Sequence, residues 1–94
     1  AKNHILEHRL LFKGTLDASI VHPREVFKEA LLTSACRILV VHNHPSQDLT
    51  PSMADRIITQ RLKETGELIG IELLDHLIVS ATQYFSFRAH GLLD

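Results

Sequence analysis

Arg37-Ile-Leu-Val-Val-His42-Asn-His44-Pro45, followed by Thr50-Pro-Ser52-Met-Ala-Asp55, is the stretch on which the reading of this chain turns. Arg37–Val41 is apolar and β-branched, the composition of a strand buried on both faces. The Pro-containing loop His42–Pro51 follows at once, so the strand end delivers His42 and His44 into a cleft. On extended backbone, residues i and i+2 project to the same side, and two imidazoles so placed can reach one ion at about 2.0–2.1 Å. Thr50-Pro51-Ser52 then reads as a helix start. Ser52 and Asp55, three apart, share a helix face, which offers the Asp55 carboxylate as a third ligand and aims the Ser52 hydroxyl at the same spot. Two histidines and a carboxylate, with one position open to water, form a common catalytic Zn²⁺ set. The chemistry of such a set is water activation and carbonyl polarisation, suited to amide hydrolysis. The plainer alternative makes His42 and His44 polar loop residues, Ser52 a helix N-cap and Asp55 a complement to the helix dipole. An isolated His-x-His favours that alternative, since i, i+2 histidines are weak evidence without further partners.

Working outward, Pro23 sits where a first-turn proline belongs and opens a helix over residues 24–35, with Val26, Phe27, Ala30 and Leu31 as its apolar face. Residues 4–12 are strand-like and end near Gly14. After Ser52, Ile58, Leu62, Thr65 and Ile69 form one stripe at helical spacing, and Gly70 ends that helix. Ile71–Val79 reads as a second apolar strand, with Tyr84–Phe87 pairing against it across a short turn and a polar-flanked tail at residues 88–94. Helices alternating with strands make the fold α/β, a mixed β-sheet flanked by helices.

The chain has 94 residues, 45% hydrophobic and 22% charged, which suits one domain over residues 1–94 with a modest core. Ten Lys and Arg against eleven Asp and Glu leave a formal charge of −1, and no basic run exists to track a polyanion, so nucleic acid is an unfavoured partner. Cys36 stands alone and cannot form an internal disulfide; it is read as inert packing, in a chain with a cytoplasmic setting. The apolar runs are strand-sized, which excludes a membrane span.

Residues 42–55 spell His-x-His-Pro-x6-Ser-x2-Asp. This pattern resembles the RadC family of the JAMM/MPN metalloprotease-like proteins. Phe12-Lys-Gly-Thr-Leu16, Val21-His-Pro-Arg-Glu-Val26 and Leu73-Leu-Asp-His-Leu-Ile-Val79 resemble family segments in the expected order. The resemblance implies an MPN (JAB/JAMM)-like fold, Zn²⁺ held by His42, His44 and Asp55, a catalytic Ser52 assisting the tetrahedral intermediate, and hydrolysis of peptide or isopeptide-like bonds in a protein substrate. Gln47 and Leu49 depart from the usual Gly and Pro of the family loop, which points to a different loop path.

The family's general base is a Glu on a helix-strand segment ahead of the position matched by Ala1, so the chain reads as an N-terminally incomplete domain. Glu7 falls on the wrong strand to replace it, and Glu25 is explained as a first-turn acid. Little hydrolysis is expected of this chain by itself. Uncovered apolar positions such as Ile5, Leu6, Leu10 and Leu11 invite homo-oligomers through the N-terminal strand edge.

His4, His8 and His90 read as solvent-facing and His22 as a helix N-terminal residue. Asp75-His76, inside an apolar strand, needs mutual or backbone hydrogen bonds, or else supports the site from behind. A competing function is a non-catalytic binding or scaffold module on the same fold. The family name also carries a DNA-repair association, and His42-Asn43-His44 evokes an HNH nuclease, but three contiguous letters do not reproduce the spacing of a ββα-metal unit.

Overall fold

The computed structural model describes residues 8–12, 22–44 and 47–93. The elements run β1 (His8–Phe12), α1 (Pro23–Leu32), β2 (Arg37–Asn43), α2 (Met53–Ile69), β3 (Glu72–Val79) and β4 (Tyr84–Ser86). They build a four-stranded sheet in the order β1-β2-β3-β4, with β1, β2 and β3 parallel and β4 antiparallel. The fold is thus α/β with a mixed sheet, consistent with the JAB/MPN-like expectation. Each helix joins neighbouring parallel strands. Right-handed crossovers of that kind put both helices on one face, and α1 packs against α2 there. Ile38, Val40 and His42 of β2 point into this covered face, as do Leu73, His76 and Ile78 of β3. With Val26, Phe27, Ala30, Ile58, Leu62 and Phe87 they form the core. The other face, with Leu39, Val41, Leu77 and Val79, is half-buried.

A bulge in β3 decides which polar side chain enters the core. Ile38 pairs with Leu73 but Leu39 pairs with Asp75, so Leu74 is an extra residue. Strict alternation after Leu73 would have turned Asp75 inward. The inserted residue puts His76 inward instead and Asp75 on the opposite face. There the Asp75 carboxylate accepts from the Ser86 hydroxyl, from the Arg88 backbone N–H at 2.9 Å and from the His76 N–H at 2.7 Å. The Arg88 guanidinium donates to the Leu73 and Leu74 carbonyls that the bulge frees. Of the mutual or backbone bonding expected of Asp75-His76, Asp75 shows the backbone kind; the two side chains lie on opposite faces and do not bond each other, and the His76 ring meets Thr59 instead.

Several expectations from sequence need correction. α1 stops at Leu32, not at residue 35, because Ser34 takes a left-handed φ of 55° and the Ser34 and Ala35 N–H groups bond back to the Leu31 and Ala30 carbonyls. That is a Schellman closure with serine where glycine is usual. Leu31 is 62% exposed and is not part of the buried face. β2 continues through Asn43, so His42 is a strand residue, not a loop residue. The α2 stripe is Asp55, Ile58, Thr59, Leu62 and Gly66, whereas Ile69 is exposed, since the chain returns beneath Gly66 through Ile71. Gly70, at φ 79°, does end α2. Cys36 is exposed and is not packing.

β1 lies at an edge of the sheet among the described residues. The expectation at Ile5, Leu6 and Glu7 falls outside them, as does His4, and the side chains of β1, including His8, Leu10 and Leu11, are not described. Leu49, in the loop between β2 and α2, packs onto the core. No helix among the described residues is long and apolar enough to cross a membrane.

Candidate metal centre

His42 ends the inward row of β2 and is buried; His44 lies one residue beyond the strand, its N–H donating to the Val79 carbonyl at 3.0 Å. That bond holds the chain extended past the strand end, so the two rings meet with centroids 4.5 Å apart and planes at 89°. Asp55 comes from the helix side. The Ser52 hydroxyl oxygen accepts the Asp55 N–H at 3.0 Å, and the Asp55 carboxylate accepts the Ser52 N–H at 2.8 Å. This reciprocal capping box satisfies two N–H groups of the helix terminus. It also fixes a carboxylate that is only 1% exposed, facing both imidazoles.

Asp55 Oδ1 stands 3.2 Å from His42 Nδ1, and Asp55 Oδ2 stands 3.7 Å from His44 Nε2. One ligand atom from each of the three residues can be chosen so that all lie within 4.8 Å of one another. Tetrahedral Zn²⁺ with bonds of about 2.0–2.1 Å separates its ligands by about 3.3 Å; the two short distances run to different Asp55 oxygens, so a set with one atom from each residue must close from spacings of up to 4.8 Å.

The donor chemistry fits a cation as well. His44 Nδ1 lies 3.0 Å from the Asp48 carbonyl, which can only accept. Nδ1 therefore carries the proton of the neutral ring, and Nε2 turns a lone pair towards a carboxylate. His42 Nδ1 is buried with no hydrogen-bond partner among the described residues. Burial lowers the His42 pKa below its usual 6.5; the Asp55 charge opposes the shift and His44 adds to it. A ring nitrogen that presents its lone pair to a carboxylate repels it unless a proton or a cation lies between them.

Behind His42 sits His76, fully buried and stacked between two rings. His42 lies on one side at 5.8 Å and 27°, and Phe87 on the other at 4.5 Å and 2°. His76 Nδ1 is 2.6 Å from the Thr59 hydroxyl, which itself donates to the Asp55 carbonyl at 2.6 Å. Burial is the chief reason the His76 pKa falls to about 4, helped by His42 and His44 and opposed by Asp55 and Asp75.

The structure thus brings together His42, His44 and Asp55; Ser52 is the N-cap of α2, and its capping partner Asp55 is the residue that faces the histidines. The remaining candidates stay apart. Glu25 is exposed on the first turn of α1, and the described residues add no second carboxylate to the cluster. His22 is an exposed N-cap without a side-chain bond. His90 is exposed too, though its ring stacks on Phe85 at 4.0 Å. Sequence reasoning missed Thr59 and Asp48. A threonine four residues after Asp55, on the buried face of α2, was the available signal for the first; nothing marked the second, which acts through its carbonyl.

Residues 1–92 match the family described as the RadC-like JAB domain. A UPF0758 protein of Chlorobaculum tepidum is 55% identical over 92 residues, covering 98% of this chain and 41% of that protein. A UPF0758 protein of Staphylococcus carnosus is 52% identical over 94 residues, covering all of this chain and 42% of the relative. One of Thermotoga maritima is 51% identical over 92 residues, with 98% and 41% covered. The chain spans about two-fifths of the length of these relatives.

Proposed function

The chain belongs to the RadC-like JAB domain family, and from that premise we propose that it is the metal-binding part of a Zn²⁺-dependent hydrolase acting on peptide or isopeptide-like bonds. The observation that carries the proposal is the buried Asp55 carboxylate facing nitrogens of His42 and His44 at 3.2 and 3.7 Å. When bound, Zn²⁺ would supply an acidified water and polarisation of the scissile carbonyl. His42, His44 and Asp55 would hold it, with Asp48 keeping His44 in the tautomer that presents Nε2. Ser52 uses a lone pair to cap Asp55, so its hydroxyl proton remains to donate to the oxyanion of a tetrahedral intermediate. The partner is a peptide or protein, since a charge of −1 offers no attraction for a polyanion. An exposed single cysteine accords with a cytoplasmic setting.

The described residues supply no second carboxylate to this cluster, an observation that favours a second reading, a scaffold module that retains the metal ligands. The test is Zn²⁺ titration against a chromophoric chelator, followed by cleavage of an isopeptide-linked fluorogenic peptide. One equivalent bound, lost in Asp55→Asn, with slow hydrolysis abolished by chelator and by the same substitution, supports the hydrolase. Metal binding with no cleavage, even in a chain extended to the length of the relatives, favours the scaffold. No metal binding overturns the site.

A further inference from the structure

The core beneath the site holds a residue that packing alone does not explain. His76 is 0% exposed, opposite Val40 on the helix-covered face. Its Nε2 is buried without a partner among the described residues. A leucine or phenylalanine would fill that volume without stranding a polar atom. What histidine adds is a directed bond. The Thr59 hydroxyl has one proton and gives it to the Asp55 carbonyl, so the contact at 2.6 Å requires His76 Nδ1 to donate to Thr59. The resulting chain, His76 Nδ1–H to Thr59 O–H to Asp55 C=O, ties β3 to the first turn of α2. The same imidazole lies against the ring of His42. One buried side chain thereby touches the strand that carries a histidine of the cluster and, through Thr59, the backbone of its carboxylate.

We propose that His76 is a positioning residue for the metal ligands: with Thr59 it sets the distance between Asp55 on α2 and His42 on β2, and it fixes the plane of the His42 ring. This rests on the reading of His42, His44 and Asp55 as a metal site. The other buried polar groups do not share this role, because Asp75 and Ser86 satisfy each other on the far face of the sheet.

The test uses Zn²⁺ affinity and the visible spectrum of the Co²⁺-loaded chain, with the stability of the metal-free form measured alongside. Thr59→Val keeps shape but removes the hydroxyl, and should weaken Zn²⁺ by about 10–100-fold, the usual effect of losing a partner that orients a ligand, while shifting the Co²⁺ bands. Thr59→Ser, which keeps the hydroxyl, should restore both. His76→Phe should match Thr59→Val, and the double variant should lose no more than either alone, because both break one chain. Native affinity and an unchanged Co²⁺ spectrum in Thr59→Val, with binding lost in Asp55→Asn, would overturn the proposal and leave the metal site standing. Additive losses in the double variant would overturn it as well. If Asp55→Asn binds like the parent chain, the metal reading falls and this inference falls with it.

Discussion

Gly66→Ala sets two effects of opposite sign against each other in the helix that carries Asp55. By helix propensity the change should stabilise, since alanine is favoured over glycine inside a helix by about 1 kcal/mol. The tertiary structure predicts the reverse. A Cβ at Gly66 would stand 2.1 Å from the Ile71 carbonyl oxygen and 3.4 Å from Cζ of Phe27. An ordinary carbon-to-oxygen contact is about 3.3 Å, so backbone would have to move by about 1 Å. The Ile71 N–H donates to the Gly66 carbonyl at 2.9 Å, which pins that segment in place. Overpacking of this kind costs about 1–3 kcal/mol or more, and here the obstacle is backbone, so the upper end applies. The expected net loss is about 2 kcal/mol, from a total stability of about 5–14 kcal/mol for a domain this size, or roughly 10 °C in Tm. Gly70→Ala is the control. Its φ is 79° but nothing lies within 4 Å of a Cβ there, so it bears only left-handed strain of about 1–2 kcal/mol. Urea melts of the three chains decide the matter. Gly66 also lies about 16 Å along the helix from Asp55, eleven residues at 1.5 Å each, so folded Gly66→Ala should bind Zn²⁺ like the parent. An alanine variant as stable as the parent would refute the close approach and with it the packing of α2 on Ile71.

Ser52→Ala removes one half of the capping box and should cost about 1 kcal/mol of stability while leaving Zn²⁺ bound, whereas Asp55→Ala should abolish metal binding; equal loss of metal in both would mean Ser52 is itself a ligand. Metal-free chain should lose stability on acidification, because His76 titrates near 4 when folded and near 6.5 when free. The unfolded chain then takes up a proton that the native chain refuses, so stability is full above about 6.5 and falls by roughly 3 kcal/mol as pH drops to about 4; urea midpoints that do not fall between pH 7 and 4.5 would contradict the burial of a neutral ring. β1 has a strand neighbour on one side only among the described residues, and an open edge of this kind should pair between copies; sedimentation showing a strict monomer at high concentration would oppose it.

What was legible from the residues followed local rules. Pro23, Ser52 and Gly70 mark helix ends by chemistry that needs no tertiary partner, and His42 and His44 two apart share a side on any extended backbone. What was not legible depended on distant contacts. Leu31 fits the periodicity of a buried face, yet the helix turns away at Ser34 through a left-handed serine that no sequence rule singles out. Ile69 continues the α2 stripe but sits where the core is already filled by Ile71 beneath Gly66. The bulge at Leu74 is the clearest case. Glu72-Leu-Leu-Asp-His-Leu-Ile-Val79 contains no glycine or proline to signal an extra residue, and without it alternation assigns the inward position to the wrong member of Asp75-His76.

The capping box shows that capping α2 and facing the two histidines are compatible roles for Asp55. A helix N-terminus must satisfy its free N–H groups, and a carboxylate at the third position does so by bonding back to the cap residue. Once that bond forms, one oxygen of Asp55 is committed to the Ser52 N–H and the carboxylate can no longer rotate freely. Its direction is then set by where α2 begins, and α2 begins directly after the loop that leaves β2 at His44. The direction of the Asp55 carboxylate is therefore inherited from the joint between strand and helix. Asp55→Asn separates the two roles, since the amide oxygen can still accept the Ser52 N–H while the charge is gone. A helix that starts normally around a cluster that no longer holds a cation is the signature expected if the fold builds the site first and the metal only occupies it.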